Sequence, residues 1–166
     1  MRASDTHNIY FIGIGGIGMS ALARYFNANG YRVAGYDKTR TDLTQTLEAE
    51  GMAVHYEDAV ALIPSPFLDP ITTLVVYTPA IPKDHAEWRY FRTHNFEVLK
   101  RSEVLGRITQ NTYCLAVAGT HGKTTTTAMT ASTMHALSAD PSYIIGGICK
   151  DLGSNAHAGK GGYFVI

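Results

Sequence analysis

The sequence predicts an α/β chain in two parts. A Rossmann-like parallel sheet domain covers residues 1–108, and the truncated start of a P-loop ATPase-type domain covers residues 109–166. Three observations carry this. Two short apolar runs, Asn8-Ile9-Tyr10-Phe11-Ile12 and residues 113–118, each lead into a glycine-rich turn and then a helical pattern. Between them strand-like and helix-like segments alternate, as crossovers between parallel strands require. After the second turn too few elements remain to complete an α/β layer structure.

The elements follow in order. Beyond Gly13-Ile14-Gly15-Gly16-Ile17-Gly18, the residues Met19, Leu22, Ala23 and Phe26 share one helical face, and Asn29-Gly30 ends the helix. Residues 31–36 read as the next strand, closed by Asp37. Leu43 and Leu47 mark a short helix that Gly51 stops, and residues 53–56 form a weak strand. Residues 58–63 suggest a brief helix ended by Pro64 and Pro66. The β-branched run at 72–77 is a buried strand, with the loop Thr78-Pro79-Ala80-Ile81-Pro82 at its carboxyl end. A helix over 84–94 would turn Ala86, Tyr90 and Phe91 inward; a strand at 96–99 and a helix capped by Ser102 and running to Ile108 follow. The polar stretch Thr109-Gln110-Asn111-Thr112 marks the domain boundary. The second part reads as a strand at 113–118, a helix to about Leu137, a strand at 143–145, a loop from Gly146 to about Gly162, and the start of a strand at 163–166.

Composition narrows the function classes. Of 166 residues 45% are apolar and the formal net charge is zero, which suits a packed soluble globule. A balanced chain offers no electrostatic footprint for nucleic acid or an anionic membrane. No apolar run approaches the ~20 residues that span a bilayer. The start, Met1-Arg2-Ala3-Ser4-Asp5-Thr6-His7, is polar and lacks a secretory core. Cys114 and Cys149 are too few for a disulfide framework and read as buried thiols in a reducing cytoplasm.

Two loops carry chemistry. Gly13-x-Gly15-x-x-Gly18 follows a strand and opens a helix, where glycines let the backbone approach a pyrophosphate and the helix start offers unpaired N–H groups. Asp37, at the end of the second strand, stands where an acid reaches a ribose hydroxyl. The alternative is a turn used only for helix–strand packing. The second loop, Gly119-Thr120-His121-Gly122-Lys123-Thr124, is a shortened P-loop with Val117 at the position of the usual first glycine. Its backbone amides can cradle phosphates, Lys123 can reach β/γ oxygens, and Thr124 can meet Mg²⁺. A lysine buried behind a strand would be costly without an anion. His55, His85, His94, His135 and His157 read as scattered surface or capping residues. No nucleophile elbow is present.

These two loops, with the segments FIGIGGIGMS, VVYTPAIP, LKRSEVL and AVAGTHGKTTTTAM, resemble the Mur ligases of peptidoglycan precursor synthesis along the whole chain. Within that family the GTHGKT and GIGGxGMS forms look like the branch that adds L-alanine. The muropeptide-recycling branch is the alternative, and a nicotinamide-dependent oxidoreductase or a non-catalytic UDP-sugar module are the readings outside it. The resemblance implies a cytoplasmic three-domain enzyme using ATP and Mg²⁺. It would transfer the γ-phosphoryl group to the lactoyl carboxylate of UDP-N-acetylmuramate, after which the amine of L-alanine displaces phosphate. It further implies that Gly15, Gly16, Gly18, Met19 and Ser20 meet the diphosphate, Asp37 the uridine, and Thr78, Pro79 and Ala80 the uracil side. Gly119, Thr120, His121, Gly122, Lys123, Thr124 and Thr125 would hold ATP, with Lys123 and Thr124 catalytic and Thr124 on Mg²⁺. Arg101, Ser154 and Asn155 read as surface or loop structure, with substrate contact the alternative. The family's remaining domains lie outside these residues, so the isolated chain is expected to bind UDP-sugar without forming an amide.

Overall fold

The computed structural model describes residues 6–166; the reading of Met1–Asp5 as a polar start falls outside the described residues. Five parallel strands form the first sheet: β1 (Asn8–Ile12), β2 (Arg32–Tyr36), β3 (Ala53–His55), β4 (Thr73–Tyr77) and β5 (Glu97–Lys100), in the order β3-β2-β1-β4-β5. The order reverses at β1, which pairs with β2 on one side and β4 on the other. That reversal leaves a crevice beyond the carboxyl ends of β1 and β4.

β1 is buried along its whole length, and its alternation sorts the core into two layers. Ile9 and Phe11 face α1 (Ile17–Ala28), α2 (Asp42–Ala49) and α4 (Arg101–Thr109), meeting Met19, Leu22, Phe26, Leu47 and Val104. Tyr10 and Ile12 face the opposite way, toward Phe67 and Phe91 of α3 (Ala86–Thr93). The expected face of α3 is rotated: Ala86 is exposed, whereas Glu87 is fully buried. Asp58 causes this, accepting the N–H groups of Ala86 and Glu87 at 2.8 and 3.1 Å and so fixing the helix entry. The brief helix expected over 58–63 is a single 3-10 turn, Val60–Leu62, followed by another at Ser65–Phe67, since Pro64 and Pro66 leave no room for an α-turn. Ser102 does not cap α4. Lys100 occupies the cap, and Glu103 reaches back to its N–H at 2.7 Å.

The second part is fuller than expected. β6 (Tyr113–Leu115), β9 (Tyr163–Val165), β7 (Ser142–Cys149) and β8 (Ser154–His157) form a four-stranded sheet in that order, with α5 (Lys123–Ala136) packed against it. The expected loop from Gly146 to about Gly162 holds the outer half of β7 and the antiparallel β8, joined by a turn at 150–153; only 158–162 continue as loop. Its glycines hid the strand pattern. β6 spans Tyr113–Leu115, three residues fewer than expected, although the Val117 N–H still donates to the Ile166 carbonyl at 2.7 Å. Cys114 is exposed and Cys149 half-buried, so the expectation of two buried thiols fails.

α1 is shared by both sheets. Ile144, Ala156 and Phe164 of the second sheet belong to the same buried cluster as Phe11 and Leu22 of the first. Tyr25 of α1 packs on Phe164 with ring centroids 5.3 Å apart. Covalently the parts meet at residues 109–112, but their cores are continuous there.

Candidate active site

The first cavity, about 670 Å³, opens at the carboxyl ends of β1, β2 and β4. Gly13, Gly15, Gly16, Asp37, Thr78 and Ala80 line it, together with Tyr36 and His85. The loop geometry follows from local sterics. Gly13 has φ +90°, which favours glycine. A methyl group on Gly15 would lie 2.8 Å from Asp37 Oδ2 and 2.7 Å from Thr44 Cγ2. That closeness lets the Gly15 N–H donate to Asp37 Oδ2 at 2.7 Å, while Thr39 N–H donates to Oδ1 at 3.1 Å. Asp37 therefore braces the glycine loop and, as part of the cavity wall, keeps lone pairs for a ligand.

Other expected residues lie elsewhere. Met19 and Ser20 are buried in α1, and the Ser20 hydroxyl donates to the Ile17 carbonyl at 3.0 Å. Pro79 is exposed and does not line this cavity, and Gly18 lines a second one.

Beneath the cavity lies a buried polar cluster; of the two histidines in it, both expected as surface or capping residues, His85 does cap α3, accepting the Trp88 N–H at 3.4 Å, but is buried. Tyr10 Oη is 2.7 Å from both His55 Nε2 and Glu87 Oε2. His85 is buried, its Nδ1 3.1 Å from Asp58 and its Nε2 without a partner, and its ring meets Tyr36 edge-on at 4.6 Å. Burial pushes the Glu87 carboxyl up to about 7, with the Asp58 charge adding to the rise. It lowers His55 and His85 and raises the Tyr10 hydroxyl. Tyr10 has one proton for two partners. With the carboxylate ionised it donates to Glu87; with Glu87 protonated, Glu87 can donate to Tyr10 and Tyr10 to His55. No periodic signal marks these positions.

The second cavity, about 410 Å³, lies between the start of α1 and the second glycine loop. Gly18, Arg101, Lys123, Thr124 and Gly146 line it. Gly122 caps α5 with φ +74°, and no backbone N–H from Gly119 to Thr125 donates to another group among the described residues. Lys123 is exposed, contrary to the expectation of a buried cation. Its Nζ donates to the Gly119 and Thr120 carbonyls at 2.6 and 3.1 Å, folding back over its own loop. The Thr124 hydroxyl makes no hydrogen bond and sits where Gly146 and Gly147 of β7 leave room for it. His121 and Thr125 are exposed on the loop and the first turn. Among the described residues no group of three His, Cys, Asp or Glu side chains could hold a metal by itself. A free hydroxyl beside unpaired amides suits a Mg²⁺ whose other ligands are phosphate oxygens and water.

The model of the Mur ligase family, catalytic domain, matches residues 8–113. The chain is 51% identical over 162 residues to the UDP-N-acetylmuramate–L-alanine ligase of Cytophaga hutchinsonii, covering 98% of this chain and 35% of the relative. It is 57% identical over 147 residues to the ligase of that name from Parabacteroides distasonis, covering 89% and 32%. The chain thus spans about a third of the length of these curated relatives. Among solved structures, UDP-N-acetylmuramate-alanine ligase from Thermotoga maritima superposes with TM-score 0.84 at 32% identity, over 95% of this chain and 36% of that one. UDP-N-acetylmuramate:L-alanyl-γ-D-glutamyl-meso-diaminopimelate ligase from Neisseria meningitides gives 0.86 at 26% identity, over 97% and 52%. A switch-point crevice, relatives at 51% and 57% identity, and a family model matched through the whole of the first sheet lead to one conclusion: the chain belongs to the Mur ligase family.

Proposed function

We propose that this chain supplies the sugar-nucleotide site and the ATP loop of an ATP-dependent ligase that joins L-alanine to the lactoyl carboxylate of UDP-N-acetylmuramate. The observation that carries this reading is the meeting of the two glycine loops, with Gly18 on one side of a single cavity and Lys123 and Thr124 on the other. The printed names of the relatives at 51% and 57% identity support the substrate pair.

In this reading the uridine occupies the first cavity, between Asp37 and the Thr78–Ala80 loop. The diphosphate passes over Gly15, Gly16 and Gly18, with Met19 and Ser20 supporting from the interior. The amides of Gly119–Thr125 take the ATP phosphates, and Lys123 leaves its loop carbonyls for the β/γ oxygens. Mg²⁺, held by Thr124 and phosphate oxygens, would neutralise charge on the transferring group. A carboxylate oxygen attacks the γ-phosphorus and the bond to ADP breaks. The amine of L-alanine then attacks the acyl carbon, phosphate leaves, and an amide and a proton result. Positioning and charge neutralisation carry this chemistry, which suits a site without a nucleophilic side chain. A cytoplasmic location follows from the substrates.

A second reading, addition of the preformed tripeptide to the same sugar nucleotide, draws on the likeness to the Neisseria enzyme. A protein of the relatives' length carrying this sequence decides between them. Phosphate release from ATP with UDP-N-acetylmuramate should require L-alanine; dependence on the tripeptide, or saturable NAD binding with no response to the UDP-sugar, would overturn the proposal. The 166-residue chain alone should bind UDP-N-acetylmuramate and form no amide.

A further inference from the structure

We infer that Arg101 grips the anionic acceptor end of the sugar-nucleotide substrate, the carboxylate that receives the phosphoryl group. This rests on the ligase reading above.

The placement of Arg101 is otherwise hard to account for. It is the first residue of α4, at the positive end of that helix, where a cation is disfavoured. It is exposed, and no acidic side chain or backbone carbonyl among the described residues pairs with it. Its guanidinium lies across Gly18, where an added methyl group would come within 2.6 Å of Nη1. The third glycine of the first loop therefore makes space for an arginine from another element, as well as for any ligand backbone. The N–H groups of Ile17 and Gly18, at the start of α1, have no protein partner either.

The cavity these groups share is lopsided in charge. Arg101 and Lys123 both line it, no acidic side chain does, and the remaining walls are mostly apolar, with Ile144 among them. Both cations are exposed and Lys123 is held by two loop carbonyls, but with no acidic side chain on its walls the cavity is electrostatically biased toward an anion. Lys123 sits on the ATP loop and is matched to ATP phosphates. Arg101 opens α4, directly after β5 of the sheet proposed to hold the sugar nucleotide, which matches it to the acceptor. A planar guanidinium presents paired donors in the spacing of carboxylate oxygens. It would orient the acceptor carboxylate and offset its repulsion from the incoming γ-phosphoryl group.

The test uses a protein of the relatives' length, comparing the parent with Arg101→Ala, Arg101→Lys and Gly18→Ala under varied UDP-N-acetylmuramate and varied ATP. Arg101→Ala is expected to lower kcat/KM for the sugar nucleotide by about 100-fold, the scale for losing one preorganised donor, with the KM for ATP unchanged. Arg101→Lys should recover part of this, because charge returns without the fork. Gly18→Ala should reproduce the loss, and adding it to Arg101→Ala should cost little more. A small effect of Arg101→Ala, or one that falls on the KM for ATP, overturns the inference. If the parent shows no ATP-dependent ligation of L-alanine, the ligase reading fails instead, so the two failures are distinguishable.

Discussion

The Asn155 side-chain amide donates to the Ile17 carbonyl at 2.9 Å, so a strand of the second sheet holds the opening turn of α1 by its backbone. The same amide lies 3.2 Å from Ser20 Oγ, and Arg24 Nη1 donates to Asn155 Oδ1 at 2.6 Å. Asn155 is completely buried, which corrects its reading as a surface or loop residue.

Replacing Asn155 by Ala should therefore destabilise the chain by about 2–3 kcal/mol, the scale for stripping partners from buried polar groups. Asn155→Asp should also be costly, since a carboxylate can accept from Arg24 but cannot donate to Ile17. Urea unfolding of the three proteins checks both.

The two glycines in the middle of the first loop should respond differently to a methyl group. Gly15→Ala drives Cβ against Asp37 and Thr44 and should cost about 1–3 kcal/mol of stability, with UDP-N-acetylmuramate binding weakened as well. At Gly16 the nearest atom to an added Cβ is 3.6 Å away. Gly16→Ala should leave the unfolding midpoint in place and still weaken binding, by crowding the path of the diphosphate. Calorimetric titration alongside thermal unfolding separates the cases.

Glu87 should leave a pH signature on stability. Its carboxyl is raised in the folded chain from the ordinary 4.5 to about 7, so between those values the folded state holds a proton that the unfolded state has released. The resulting stabilisation is complete below the unfolded value and lost as pH rises through the folded one. Glu87→Gln, permanently neutral, should be close to the parent at acidic pH, gain on it as pH climbs from about 4.5 to about 7, and keep a constant advantage above that. A parallel pH dependence in both proteins would refute the assignment.

Lys123→Ala should leave UDP-N-acetylmuramate binding intact, because the first cavity does not include it. In a protein of the relatives' length, ATP-dependent ligation should fall by about 100- to 1000-fold, as for other groups that stabilise a transferring phosphoryl. Equilibrium binding and single-turnover phosphate release check the two halves of this prediction.

Much of the first sheet was legible in the sequence. The runs that became β1 and β4 are apolar, short and followed by turn residues, and the spacing of Met19, Leu22, Ala23 and Phe26 is that of a helix with one buried stripe. The two glycine loops were legible for the same local reason. β8 was not: Ser-Asn-Ala-His carries no strand signal, and pairing with β7 alone makes it one. The burial of Glu87 was not legible, because it depends on Asp58 accepting the N–H groups at the start of α3, a relationship 29 residues long for the Glu87 amide; His85, expected at the surface or as a cap, is a cap but a buried one. Gly18 was recognisable as the third glycine of the loop, but its neighbour Arg101 comes from another part of the chain.

With one helix serving as a wall for both sheets, the polar stretch at 109–112 cannot act as a swivel. Turning the second sheet about it would pull Phe164 off Tyr25 and break the grip of Asn155 on Ile17. This joint is a weld. Any motion of one sheet against the other would have to break those contacts first.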